Sequence, residues 1–204
     1  MTRGEWARLL EPWAAAVLQQ VESEGYEPDE IEVGTGPFSG LGFPGATEAE
    51  LAAAEARLGC RLPPSYREFL ACTNGLRQAD PCMAALGGHF WGADGIEWLR
   101  LRDAEVIDIW NESPVEIPDE EYFVYGEDQD CMSLRPEYLR NALEISYEGD
   151  AGWYLLIPDV VGADGEWEAW FFASWHPGAA RYRSFAEMML ARHRRFQAGG
   201  ASGF

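Results

Sequence analysis

Apolar positions recur at helical spacing in the first stretch of the chain. Trp6, Leu9, Leu10, Trp13, Val17 and Val21 fall on one face, so the pattern predicts an amphipathic helix from Thr2, its cap, to about Glu24, stopped by Gly25. Periodicity then lapses. Residues 34–45 are rich in glycine and read as a loop, with Phe38, Leu41 and Phe43 apolar enough to dock it. Two further helical patterns flank a proline corner. Thr47 and Glu50 form a capping box ahead of Leu51, Glu55 and Leu58, and Gly59 suits a left-handed stop. Leu62-Pro63-Pro64 cannot continue that helix, but Pro64 suits the first turn of the next. There Tyr66, Phe69 and Leu70 make an apolar face, and Asn74-Gly75 ends it.

Beyond Gly75 the chain is irregular to about Ala93, with Gly87-Gly88 inside. Ile96 to Leu101 then predicts a short strand. Asp103 to Trp110 predicts a helix with Val106, Ile109 and Trp110 inward and Asp103, Glu105 and Asp108 outward. Asn111 to Asp130, punctuated by Pro114 and Pro118, reads mostly as loop, with a strand pattern at Tyr122–Tyr125, and Arg135–Asn141 as a helical turn. Apolar runs predict strands near Leu143–Tyr147, Trp153–Ile157 and Glu166–Ala173, with a turn at Asp164-Gly165. A helix from Ser184 to Phe196 closes the pattern, with a second capping box at Ser184 and Glu187. Arg192, His193, Arg194 and Arg195 sit at its negative end. The sum is an α+β domain: a mainly antiparallel central sheet flanked by helices, with an N-terminal helical arm. The expected organisation is an arm and linker strapped onto the core (1–45), the domain proper (46–197) and a flexible tail (198–204).

Composition narrows the classes. In 204 residues, 47% hydrophobic and 13% aromatic content argues a folded globular protein. No apolar run would span a bilayer and no signal-peptide pattern opens the chain, so the expected location is the cytoplasm. The formal net charge is −20, and all 15 basic residues are arginine. Without lysine there is no Schiff-base chemistry and no phosphate-loop lysine. Charge is also localised. From Asp94 to Trp170 there are 21 acidic residues and four arginines, a net of −17, whereas the stretch from Phe171 onward carries +4. Such a field repels nucleic-acid backbones and anionic lipid and attracts basic proteins.

Candidate chemistry adds little. Cys60, Cys72, Cys82 and Cys131 lack metal-ligand spacing and read as reduced structural thiols. Of His89, His176 and His193, only His89, beside Phe90 and Trp91, has a pocket-like context, and His193 reads as a helix-end cation. Carboxylates such as Asp119, Glu120, Glu121, Glu127, Asp128 and Asp130 could hold a divalent cation or supply a glycosidase's acid and nucleophile, but residues 127–130 lack the length and closing glutamate of an EF-hand, and the default reading is a solvated acidic loop. The expectation is a protein that is not an enzyme, with no catalytic residue, cofactor or metal.

Leu62-Pro63-x-Ser65-Tyr66-x-x-Phe69-Leu70, followed by Asn74-Gly75 and preceded by Glu55 and Leu58-Gly59, resembles the SUKH superfamily (the Smi1/Knr4-like domain). Later pieces fall in that family's order: Gly95–Leu99, Leu143–Ser146, Gly165–Trp167 and Ser184–Met189. The similarity runs from about Ala46 to Phe196. It implies a protein-binding role, commonly in bacteria that of an immunity protein neutralising a toxin, often a nucleic-acid-targeting one with a basic surface. A regulatory scaffold in cell-envelope synthesis or signalling is the alternative. With the charge pattern, the expected partner is a basic protein toxin, with no direct nucleic-acid or membrane contact. The candidate contact residues are Trp91, Asp108, Trp110, Glu112, Glu116, Asp119, Glu120, Glu121, Tyr122, Tyr125, Glu127, Asp128 and Asp130.

Overall fold

Caps set the helix ends in the computed structural model, which describes residues 1–23, 33–77, 89–112, 116–147, 152–173 and 176–198. The N-terminal helix α1 (Arg3–Ser23) lies against the core. Its Trp6 is fully buried, 5.5 Å from the rings of both Phe69 and Phe185, and its indole N–H donates to the Ser65 carbonyl at 2.9 Å. Helix α2 (Glu48–Leu58) starts on the capping box: the Glu50 N–H donates to Thr47 Oγ1, and the Thr47 N–H donates to the Glu50 carboxylate at 2.7 Å. Gly59, at φ 73°, ends it in the left-handed conformation. Helix α3 (Pro64–Cys72) begins on Pro64 and buries Tyr66, Phe69 and Leu70. One α2 carboxylate, Glu55, accepts from the Leu62 N–H and from Arg67 Nε, both at 3.1 Å, and so fixes the proline corner from within.

The rest builds one sheet between two helical layers. In chain order come β1 (Glu97–Trp98), α4 (Leu99–Arg102), α5 (Ala104–Asn111), α6 (Asp119–Tyr122), two 3₁₀ turns (Gly126–Asp128 and Pro136–Asn141), β2 (Leu143–Glu144), β3 (Gly152–Val161), β4 (Trp167–Ala173), β5 (Ala179–Tyr182) and α7 (Phe185–Gln197). The five strands pair antiparallel in sequence order. Every β4 residue is buried, because both faces are covered. Trp167, Ala169 and Phe171 pack with residues of α1, α2, α3 and α7. Trp170 and Phe172 pack on the opposite face with Leu99, Ile107, Tyr122 and Leu139. Two-sided burial explains why β4 reads as a nearly continuous apolar run rather than an alternating one.

Several sequence expectations need correction. The strand predicted from Ile96 to Leu101 is only Glu97–Trp98; Leu99 leaves β2 to open a helical turn and drops its side chain into the second-face core. Residues 122–125 form no strand: Asp119–Tyr122 is helical, as acidic residues just after Pro118 favour. On α5, Val106 and Trp110 face inward as predicted, but Ile109 is 56% exposed and Ile107 is buried in the core. In the Ser184 cap, Glu187 reaches the Arg183 N–H (2.7 Å) instead of completing the box on Ser184. His193 is no simple helix-end cation: its ring lies 5.2 Å from that of Trp13, and burial lowers its pKa. Strand β5 had no counterpart in the prediction. Gly25, Gly87-Gly88, Cys82 and the tail 199–204 lie outside the described residues.

Candidate protein-interaction surface

Helix α5 takes its start from Asp103, whose carboxylate accepts from the Val106 N–H at 3.1 Å. Two turns of helix then divide the side chains. Val106, Ile107 and Trp110 pack on the second-face core, with the Trp110 ring 4.9 Å from Phe172. Glu105, Asp108, Ile109 and Glu112 are exposed, and their spacing of three and four places them in one outward stripe. Asn111 Nδ2 ties the helix end to the Pro136 carbonyl at 3.0 Å.

The neighbouring α6 is anchored by Tyr122, which is fully buried and donates its hydroxyl to Glu168 at 3.0 Å. Tyr122 therefore belongs to the core and is out of a partner's reach in the folded state. Trp110 likewise points mainly inward. Tyr125 is half-buried, with the Arg183 guanidinium 4.6 Å from its ring centroid. The carboxylates behave differently. Glu112, Glu116, Asp119, Glu120, Glu121, Glu127, Asp128 and Asp130 are all exposed, as is Asp108. Asp119 pairs with Arg135 at 2.6 Å, and Asp130 Oδ1 accepts from the Met132 N–H at 2.9 Å. Among the described residues, the other seven are in no ion pair. Phe123, at 44% exposure, and Met132, at 67%, add apolar surface to the same layer.

Beneath this layer lies a polar cluster that the sequence reading did not single out. Glu168 accepts from Tyr122 Oη and from Trp170 Nε1, both at 3.0 Å. Burial pushes its carboxyl above the ordinary value of 4.5, and the hydrogen bonds from Trp170 and Tyr122 and the charge of Arg181 pull it back only in part. Glu168 and Arg181 stand two residues apart in cross-strand register on β4 and β5. A charged residue of each sign amid apolar strands was the available signal.

Trp91 lies elsewhere. Its ring stacks on Tyr147 with centroids 3.4 Å apart, in a cleft of about 780 Å³ that Phe43, Asn74, Arg77, His89 and Asp94 also line. Trp91 packs against the first-face core, so the fold separates it from the α5–α6 carboxylates. His89 does line a cleft, but neither cysteine nor serine joins it among the described lining residues. No three His, Cys, Asp or Glu side chains among the described residues converge as metal ligands.

The model of the SMI1 / KNR4 family (SUKH-1) matches residues 45–191, from just ahead of α2 to about the middle of α7. The chain belongs to that family. The matched span of this SMI1/KNR4 protein holds the whole sheet, the second-face layer and the α2–α3 corner, while α1 and the glycine-rich loop precede it. No curated protein matches the chain. No helix among the described residues is long and apolar enough to cross a membrane.

Proposed function

We propose that this SMI1/KNR4 protein is a non-catalytic binding protein, an immunity protein that neutralises a basic protein toxin through its α5–α6 layer. The observation that carries the reading is the outward stripe of α5, where exposed Ile109 sits among the unpaired carboxylates of Glu105, Asp108 and Glu112. An isoleucine buried by a partner contributes about 1.5–3 kcal/mol, and a rim that excludes water strengthens it. The carboxylates around it select the partner. From Leu99 to Asn141 there are twelve acidic residues and four arginines, so the layer attracts a cationic surface and raises its encounter rate. A toxin that cleaves or modifies nucleic acid carries such a surface, and an acidic layer seated on it would exclude the phosphate backbone.

The test is co-expression with a candidate toxin sought among the genes beside this one. The wild-type chain is expected to restore growth, and Glu105→Lys/Asp108→Lys/Glu112→Lys is expected to lose protection at unchanged melting temperature and expression. Full protection by the folded triple variant would refute the reading.

A further inference from the structure

Strand β5 is an edge strand, and an edge presents unpaired peptide groups to its surroundings. Here the acidic segment itself covers them. The Ala179 N–H donates to the Cys131 carbonyl at 3.1 Å. Gln129 then stands in for a neighbouring peptide unit: its Oε1 accepts from the Arg181 N–H at 2.7 Å, and its Nε2 donates to the Arg181 carbonyl at 3.2 Å. The approach is close. A Cβ on Gly178, which holds φ 110°, would lie 1.9 Å from the Cys131 oxygen.

The side chain of Arg181 holds the same segment a second time. It is fully buried, and its guanidinium donates to the carbonyls of Tyr122 and Asp130, the latter at 3.3 Å. It also lies 4.4 Å from the Tyr122 ring centroid, while the Tyr122 hydroxyl is fixed on Glu168. Its Nε–H has no hydrogen-bond partner among the described residues. A buried, incompletely satisfied arginine is costly, so hydrophobic packing alone gives no reason for it. What it does is bridge two carbonyls eight residues apart in sequence, a task suited to the forked guanidinium and not to an ammonium. The turn Gly126–Asp128 between those carbonyls projects Glu127 and Asp128 into solvent.

We infer that Arg181 and Gln129 are positioning residues that preset the segment from Tyr122 to Asp130 in one shape, so that a partner meets carboxylates already in place. A preset surface avoids ordering backbone at the moment of binding, which otherwise costs affinity. The consequence for binding rests on the function proposed above, whereas the presetting does not.

Hydrogen exchange on the full chain, followed by mass spectrometry, tests both. Gln129→Ala and Arg181→Lys are expected to speed exchange in residues 122–133 by about tenfold or more, as loss of the hydrogen bonds that hold this segment implies, with α2, α3 and β3 unchanged. Glu127→Gln/Asp128→Asn is expected to leave exchange as in the wild type. With a toxin that the chain neutralises in the co-expression test as probe, Gln129→Ala and the double carboxamide variant should each weaken binding by about tenfold. Unchanged exchange in both Gln129→Ala and Arg181→Lys overturns the presetting. Faster exchange with undiminished affinity overturns its part in binding. If the carboxamide variant binds as the wild type does, the fault lies in the acidic-surface reading instead.

Discussion

Glu168 shows how much a single residue on the buried side of this sheet depends on its neighbours. Its carboxylate gathers hydrogen bonds from Tyr122 and Trp170, yet burial outweighs them and its pKa is raised. The sign of the consequence follows from proton linkage. A carboxyl that titrates higher in the folded than in the unfolded chain keeps its proton better when folded, so stability falls as pH rises through that interval. The interval opens at the ordinary value of 4.5 and extends upward. Glu168→Gln removes this titration, so the melting temperature of the wild type minus that of the variant is expected to be greatest near the ordinary carboxyl value and to shrink toward neutrality. A difference that grows with pH would show that the carboxylate, not the acid, is the favoured form. Ile109 makes a second point at this scale. Val106, Ile109 and Trp110 looked like one inward face, but an eight-residue helix has only two turns, and several faces fit so short a pattern. The helix's contacts with partners distant in sequence, Trp110 on Phe172 and Asn111 on Pro136, selected the face with Ile107 at its centre.

At the scale of elements, what was legible in the sequence was what local chemistry determines. The capping box of α2, the left-handed Gly59 and the proline start of α3 each depend on residues within a few positions, and all three are present as read. The short β1 and the unforeseen β5 depend instead on partners far along the chain. β5 reads Ala-Ala-Arg-Tyr, a poor strand signature, and is held by β4 on one side and by Gln129 on the other. The same separation hid the Arg181 cluster, whose members come from α6, the segment just after a 3₁₀ turn, β4 and β5. Helix α1 offers an element-level test. Its Trp6 fills a fully buried site between Phe69 and Phe185 and donates to Ser65. Trp6→Ala should cost about 3–5 kcal/mol, a fall of roughly 6–20 °C in melting temperature for a domain of this size. A melting temperature within a degree or two of the wild type would mean that α1 contributes little to the core.

Across the whole molecule, the sheet divides two surfaces of different character. One helical layer, built by α1, α2, α3 and α7, includes the family's proline corner, which is chiefly a folding device: caps, a turn and an apolar helix face. The other carries the exposed carboxylates and Ile109, with α5 and α6 pinned from below by Ile107 and Tyr122. An interaction surface here would be electrostatically selective and sensitive to ionic strength, since exposed charges are screened beyond about 8 Å at physiological salt. A hydrogen-exchange footprint of the chain in complex with a toxin that it neutralises in co-expression reads the assignment directly. Protection confined to residues 104–112 and 119–130 is the predicted result; protection on the Trp91–Tyr147 cleft or along α1 and α7, with the α5–α6 layer exchanging as in the free protein, would contradict it.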